Sequence, residues 1–350
     1  MPELTERQKT LLMLVVRDYI ETAQPVGSQR LVERFRLSMS SATVRNEMAA
    51  LTEMGYLRQP HTSAGRVPTE EGYRLFIGEL MHQFKLPPAV QHTISHQFFQ
   101  ARHDVEQWMR LAASILAHQS QSISLITAPH AEKARYKHLE LISTQGRQVF
   151  MVMVLVGGEI SQQILTLSDP ITQERLSQVA NMLNRLCVGR SAEEIQSQPL
   201  PAETLEKEIL AVVLQDMRTA DERVAGELYV DGLTNVLTEP EFTAADDARK
   251  ALRLLEERST LQELLSRMVM SSNVGGLQVL IGSEGGWEEL RQYSMVLARY
   301  GVPGLATGML GVLGPMRMPY PRTIPTVRFV ADLLSDLITE NIAGEGQNAE

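Results

Sequence analysis

The sequence predicts an α+β protein of several domains that begins with a winged helix-turn-helix. Three short helical patterns and a turn-rich extended segment occupy roughly the first 70 residues. Runs typical of β-strands appear only after residue 120, where they mix with further helical patterns. A chain of 350 residues also has room for two or three domains of the usual ~100 to 200 residues.

The first two helices follow from one apolar stripe and one break in the pattern. Apolar residues recur at three- and four-residue spacings over 4–20, which predicts a helix that ends before Pro25. After the break, Ser28 stands where an N-cap is needed, and we expect it to cap a second helix that ends near Phe35.

A third helix completes the helix-turn-helix pattern. Ser40 or Ser41 is expected to cap it, and Gly55 stands where a helix C-terminal cap belongs. The residues expected to face the core follow at helical spacing and are Val44, Met48 and Leu51. The tight connection between the second and third helices is typical of a helix-turn-helix.

An extended, turn-rich segment follows over 56–69 and predicts a hairpin, which would be the wing. A helix then begins at Thr69 with Glu70 and Glu71 in its first turn, and a proline-containing linker follows at 85–88. Residues 89–119 are predicted to be largely helical.

The remaining chain predicts a mixed sheet with helices. Its expected strands lie at 122–128, 138–144, 149–156, 159–167, 277–282, 294–298 and 305–313. Its expected helices lie at 174–188 and 245–270, with a last one bearing Val327, Val330, Leu334 and Leu337. Gly157 and Gly158 are predicted to form a tight hairpin between two of the strands.

Charge and cysteine content indicate a cytoplasmic protein with an acidic body. The net charge is −9, but residues 1–75 contain ten Lys and Arg against nine Asp and Glu, so the acidity lies outside the predicted helix-turn-helix. The single cysteine, Cys187, excludes a disulfide framework within the chain. The start of the chain lacks the pattern of a secretory signal, and the longest apolar run, 149–156, is far shorter than the ~20 residues that span a membrane.

The third helix carries the residue types that read DNA. Its amino-terminal part is expected to enter the major groove, where Arg45 suits guanine and Asn46 suits adenine. Hydroxyls and basic side chains nearby are expected to hold phosphates. The predicted DNA-binding residues are Ser28, Gln29, Arg30, Ser40, Ser41, Thr43, Arg45, Asn46, Arg58, His61 and Arg66.

Other interpretations of the residues have less support. A helix-turn-helix with few lysines also fits a protein-docking module, in which Arg45 and Asn46 would be ordinary surface residues. No catalytic signature for a hydrolase or zinc enzyme is present, so no enzyme, cofactor or metal is predicted. His92 and His96 are four residues apart, but two imidazoles without a third ligand are weak evidence for a metal site.

Residues 26–74, which contain SSATVRNEM and PHTSAGR, resemble the N-terminal domain of the heat-inducible transcription repressor HrcA family. Residues 228–242 and 311–320 resemble later parts of the same family, so the resemblance covers almost the whole chain. Gly285, where family members usually carry Asn, and Pro325 depart from the family pattern within the body.

The resemblance implies a domain order and a function. The implied parts are a winged-helix domain at 1–86, a linker helix at 87–103, a GAF-like domain at 104–190 and 245–342, an inserted dimerising domain at 191–244 and a disordered tail at 343–350. The family implies a dimer that represses groE- and dnaK-type chaperone operons at an inverted repeat called CIRCE, is supported by the chaperonin GroEL and loses activity on heat stress. A metabolite-sensing regulator with the GAF-like body as ligand sensor is the alternative.

Overall fold

The computed structural model describes most of the chain. The described residues are 4–61, 64–80, 85–101, 104–130, 133–156, 159–199, 203–222, 227–242, 274–285, 291–303 and 305–347. Contacts divide the chain into two compact units. Unit 1 comprises Met1–Ala128, Glu227–Tyr300 and Met309–Glu350, and unit 2 comprises Pro129–Gly226 and Gly301–Gly308. The predicted helix over 245–270 and the predicted hairpin at Gly157 and Gly158 lie outside the described residues.

Unit 1 begins with an N-terminal module, residues 4–80. Its helices are α1 (Glu6–Thr22), α2 (Ser28–Phe35), α3 (Ser41–Glu53) and α4 (Glu70–Leu80), and its strands are β1 (Leu57–Arg58) and β2 (Val67–Pro68). Fully buried apolar side chains of α1, α2 and α3, such as Val15, Leu31 and Val44, form its core. The stripe predicted over 4–20 is therefore the buried face of α1.

Capping fixes where α3 begins and ends. Ser40 is the N-cap, and its hydroxyl accepts a hydrogen bond from the amide of Thr43 at 3.1 Å. At the other end Gly55 has a φ of +86°, its amide donates to the carbonyl of Thr52, and the amide of Tyr56 donates to that of Leu51. This paired pattern is a Schellman motif, so the prediction that Gly55 ends the helix is confirmed.

The prediction that Ser28 caps α2 is wrong. Gly27 is the N-cap, because its carbonyl accepts the first helical hydrogen bond, from the amide of Leu31 at 3.1 Å. It has no side chain with which to cap the helix. Ser28 is consequently the first helical residue, with only 8% of its surface exposed. The helix starts one residue earlier than side-chain preference alone indicates.

The hairpin β1–β2 is antiparallel, with Leu57 opposite Pro68 and Arg58 opposite Val67. A second backbone pairing joins Arg66 to Val26, with hydrogen bonds of 2.9 Å in both directions. A Cβ on Gly65 would lie 2.4 Å from the Val26 carbonyl oxygen, so only glycine permits this close approach. The hairpin is thereby attached to the segment that leads into α2.

Two helices and a strand continue unit 1: α5 (Pro88–Gln100), α6 (Val105–Ser120) and β3 (Ile123–Thr127). Buried side chains line one face of α6, including Trp108, whose Nε1 donates to the carbonyl of Ala101 at 3.1 Å. These elements agree with the largely helical segment predicted over 89–119 and with the strand predicted at 122–128.

Unit 2 is a three-stranded antiparallel sheet with helices. Its elements are β4 (Tyr136–Ser143), β5 (Gln148–Leu155), β6 (Ile160–Thr166), α7 (Gln173–Cys187), α8 (Ala192–Gln196) and α9 (Thr204–Glu222). The described strands are ordered β4-β5-β6, and their inner residues, such as Leu139 and Met151, form one core with α7 and α9. The alternating burial along β5 is the period expected of a sheet with one covered face.

The chain then completes unit 1, apart from residues 301–308, which are grouped with unit 2. The elements are β7 (Leu228–Asp231), α10 (Leu233–Leu237), β8 (Leu277–Ile281), β9 (Tyr293–Val302), β10 (Ala306–Pro315) and α11 (Tyr320–Gln347), with short 3-10 turns at Pro240–Phe242 and Gly282–Gly285. Among the described strands the order is β7-β3-β10-β9-β8. Strands from both ends of the chain therefore share one sheet.

The compact units do not follow the predicted domain boundaries. Strands β4 to β6, expected in the first GAF-like segment at 104–190, pack with α7 and α9 in unit 2, which starts at Pro129 rather than at 191. A strand pattern in the sequence shows which residues are extended and which of them face the core, but not which sheet the strand joins.

The disordered tail expected at 343–350 also differs, since α11 continues to Gln347 and only 348–350 lie outside the described residues.

Candidate nucleic-acid interface

The outer face of α3 is the centre of the candidate interface. Val44 and Leu51 are fully buried and Met48 is 3% exposed, so the packing fixes the rotation of the helix. Arg45 and Asn46 consequently lie on the exposed side. Both residues keep the position that the sequence predicts for them.

The amino terminus of α3 offers free backbone amides beside small hydroxyls. Ser40 uses its hydroxyl for the cap, and its Oγ lies 2.9 Å from Oγ1 of Thr43. Ser41 is exposed, whereas Thr43 is half-buried. Helix amino termini carry unpaired N–H groups and a partial positive charge, which favour an anion such as phosphate.

A cleft of about 400 Å³ lies between the start of α2, the outer side of α3 and the hairpin. The residues that line it are Val26, Gly27, Ser28, Arg45, Met48, Gln59, Ala64, Gly65 and Arg66. The structure thus brings three predicted residues, Ser28, Arg45 and Arg66, to one cleft. It adds Gln59, which the sequence interpretation missed and whose side-chain amide donates to the carbonyl of Ala64 at 3.0 Å.

Arg30 is engaged inside the N-terminal module. Together with Arg34 it forms an ion pair with Asp18, a carboxylate that is fully buried. Arg30 also donates to Oγ1 of Thr22 at 2.7 Å. A buried carboxylate needs such partners, since an unpaired charge is costly in the interior. Gln29, in contrast, is exposed and donates to Glu33 at 3.0 Å.

The hairpin presents two exposed basic or titratable side chains, Arg58 and His61. The carbonyl of His61 accepts from the amide of Ala64 at 2.9 Å, which closes the tip of the loop; Thr62 and Ser63 lie outside the described residues. Arg66 is half-buried, and its Nε donates to Oγ1 of Thr52 at 3.0 Å. Arg66 therefore joins the hairpin to α3 through its side chain as well as to Val26 through its backbone.

Other chemistry is sparse in the described residues. The His92 and His96 rings are stacked with centroids 6.4 Å apart, and no group of three or more His, Cys, Asp or Glu with metal-site geometry occurs among the residues that the structure describes. No helix in the described part of the chain is both long and apolar enough to cross a membrane.

Comparison with known proteins identifies relatives along the whole chain. The family model described as HrcA protein C terminal domain matches residues 106–324. A heat-inducible transcription repressor HrcA from Roseiflexus castenholzii is 42% identical over 352 residues, covering 98% of this chain and 97% of that protein. The repressor of the same description from Herpetosiphon aurantiacus is 43% identical, covering 96% of both chains.

A solved structure also resembles the chain. It is described as a hypothetical protein, has 25% sequence identity and a TM-score of 0.57, and covers 96% of this chain and 98% of its own. The likeness supports a mixed α and β fold along the chain. Because a family model matches more than half of the sequence and relatives above 40% identity match nearly all of it, the chain belongs to the HrcA family of heat-inducible transcription repressors.

Proposed function

We propose that this protein represses heat-shock transcription by binding operator DNA through a winged helix-turn-helix, with α3 as the recognition helix and β1–β2 as the wing. One observation carries the proposal: Arg45 and Asn46 are exposed on α3 beside the cleft that the hairpin borders. Membership of a repressor family supports it. A buried or apolar outer face on α3 would have favoured a docking module instead.

In this proposal the side chains of α3 contact the bases. Arg45 has the geometry to donate two hydrogen bonds to O6 and N7 of guanine, and Asn46 suits N6 and N7 of adenine. Ser41 and the amides at the start of α3 would hold a phosphate next to those bases. Gln29, Arg58 and His61, all exposed, would contact the flanking backbone.

The other five predicted residues have internal partners or line the cleft. Arg66 uses one N–H group on Thr52, and a guanidinium carries five, so donors remain for a phosphate. Arg30 is held by Asp18 and Thr22, and we assign it a supporting role under α2. Ser40 and Thr43 bond to each other at the cap, so they would order the amides that face the DNA. Ser28 contributes mainly as part of the cleft wall.

Dimerisation would occur through the outer sheet face of unit 2, which we define as Ile142, Phe150, Val152, Val154, Ile160 and Ile164. The strand register places Phe150 between Ile142 and Ile164, and Val154 opposite Ile160. Ile160 is 57% and Ile164 63% exposed, with Gln162 between them on the same face of β6. Large apolar side chains exposed together in this way often mark an interaction surface. We propose that a second copy covers this face, because an inverted repeat requires two reading modules and a two-fold interface buries the same surface on both copies.

The proposed dimer would place two α3 helices in successive major grooves, with half-site centres a whole number of ~34 Å helical turns apart. One small module neutralises few phosphates, so two acting together are needed for tight binding at cellular salt.

We propose the CIRCE inverted repeat of chaperone operons as the operator, with unit 1 beyond the N-terminal module forming a GAF-like body. The chaperonin GroEL would maintain the active dimer, and heating would deplete it.

A gel-shift titration at one stated salt concentration tests the proposed function. The labelled inverted repeat should be bound far more tightly than a scrambled duplex of equal length, and without any added small molecule. Equal binding of the two duplexes, or none, would favour the docking module. Specific binding that appears only with a metabolite would favour the sensor interpretation.

A further inference from the structure

The N-terminal module and the rest of unit 1 meet at contacts that the DNA-reading surface does not use. Glu70, the first residue of α4, accepts hydrogen bonds from the Ser283 amide at 3.3 Å and from the Ser283 hydroxyl at 2.8 Å. Ser283 lies in the 3-10 turn that follows β8. The Glu70 carboxylate therefore connects α4 to the turn that follows β8.

Gly282 lies where these two segments meet, and its positive φ favours glycine there. Gly282 has a φ of +56°, and a Cβ built on it would lie 2.3 Å from Oε1 of Glu70. The neighbouring Glu284 accepts from the amide of Ile281 at 3.0 Å, which holds the turn, and it forms an ion pair with Arg74 one helical turn beyond Glu70. The turn is thus shaped to receive the first two turns of α4.

One further contact holds the module at another point. The rings of Tyr73 and Tyr320, both buried, have centroids 6.1 Å apart and join α4 to the start of α11.

From these contacts we infer that Glu70 and Ser283 are positioning residues that set which operator spacing the protein accepts. The inference rests on the proposed function, namely two reading modules on one inverted repeat. DNA-reading modules on flexible tethers accept many distances between half-sites, because the second module binds whenever the tether is long enough to span them. Modules fixed to a common body accept only the spacing that matches their separation. Glu70 does not line the cleft, so its removal leaves the reading surface intact.

Spacing selectivity of the full-length protein tests the inference. Affinity is measured at one salt concentration for three duplexes: the inverted repeat, the same repeat with about five base pairs added between half-sites to turn them by half a helical repeat, and an isolated half-site. The variants are Glu70→Ala and, on the body side, Ser283→Ala. The control is Glu71→Ala, since Glu71 is also in the first turn of α4 and pairs with Arg74 of its own helix at 3.8 Å.

We expect both junction variants to lower the preference for the natural spacing at least tenfold, with half-site affinity within twofold of the unaltered protein. Glu71→Ala should keep the preference. Unchanged selectivity in Glu70→Ala and Ser283→Ala overturns the inference, and so does a parallel loss of half-site affinity, which would mean that these residues maintain the reading surface itself. If the unaltered protein does not distinguish the inverted repeat from a scrambled duplex, the proposed function fails instead.

Discussion

At the scale of single residues, the structure separates residues that face outward from residues that hold the module together. Arg45 and Arg30 are the same residue type in neighbouring helices, yet Arg45 is exposed and Arg30 is paired with the buried Asp18. Both were predicted to contact DNA. The difference decides what each substitution should change. Substitution of Arg45 should alter DNA recognition, whereas substitution of Asp18 should alter the stability of the module.

Arg45→Ala should weaken binding to the specific operator by about 1–3 kcal/mol and relax the preference at one base pair. The loss should be small on scrambled DNA, because phosphate contacts remain. Competition titrations against operators substituted at single base pairs measure this effect. Arg17→Ala is the control, since Arg17 is exposed on α1 and pairs with Glu21. Equal, sequence-independent losses for both variants would contradict base reading by Arg45.

Asp18→Asn should lower the free energy of unfolding by about 2 kcal/mol, because two guanidinium groups lose a fully buried charged acceptor. Glu21→Gln removes a carboxylate that pairs with Arg17 and Arg34 at the surface, so it should change stability by less than about 1 kcal/mol. Urea unfolding of both variants measures the difference. Equal losses of unfolding free energy in the two variants would show that the buried ion pairs of Asp18 stabilise the module no more than the surface ion pairs of Glu21.

At the scale of elements, unit 2 has a core built from one face of its sheet and two helices. Cys187, the last residue of α7, is fully buried in that core. Burial raises the pKa of its thiol to about 11, with Arg190 acting in the opposite direction. The thiol is the only one in the chain, so its reactivity reports on the opening of unit 2.

Cys187 should react slowly with iodoacetamide at pH 8 in the folded protein and quickly after denaturation, because it is both buried and protonated. The folded pKa lies above the ordinary value of 9.0, so protonation contributes stability below pH 9 that is lost as pH rises through about 11. The Cys187→Ala variant should lack this part of the pH dependence. Rapid alkylation under native conditions, or identical pH dependence in the variant, would contradict a buried neutral thiol.

At the scale of the whole molecule, the proposal depends on two copies acting together. The outer sheet face of unit 2 carries exposed apolar side chains that a second copy would cover in the proposed dimer. Its apolar character contrasts with the net charge of −9, which would otherwise favour separation of the chains. Assembly and operator affinity should therefore change together.

Ile160→Lys should convert the proposed dimer to a monomer, because a charged side chain buried against an apolar face of a second copy is left without a partner. Val188→Lys is the matched control: Val188 is 58% exposed against 57% for Ile160, lies in the same unit and is outside the sheet. Light scattering after gel filtration gives the mass of each variant, and the gel shift gives affinity. If the Ile160→Lys variant remains dimeric, or if both variants dissociate equally, the outer sheet face of unit 2 is not the dimer interface.

Mild heating should lower the concentration of operator-competent dimer, and added chaperonin should restore it, because folded dimers are lost by mass action when the chain is marginally stable. Operator affinity is measured before heating, after heating and after heating with GroEL and nucleotide. If affinity after heating is the same with and without chaperonin, support of the repressor by the chaperonin is excluded.

Much of the local structure could be predicted from the sequence because its causes are local. The stripe over 4–20, the Ser40 cap and Gly55 each depend on residues within a few positions, and the structure has the helices and caps that they predict. The side of α3 that faces outward also follows from the spacing of Val44, Met48 and Leu51.

By itself the sequence determined the helices of the N-terminal module, the outer face of α3 with Arg45 and Asn46, and the family. Only the tertiary structure decided that Arg30 is held by Asp18, that Gln59 joins the cleft, and that Glu70 meets Ser283. It also decided that β4–β6 form a sheet separate from that of β3. The physical reason is range: periodicity and capping act over a few residues, whereas these contacts join segments up to 213 positions apart, which no local pattern records.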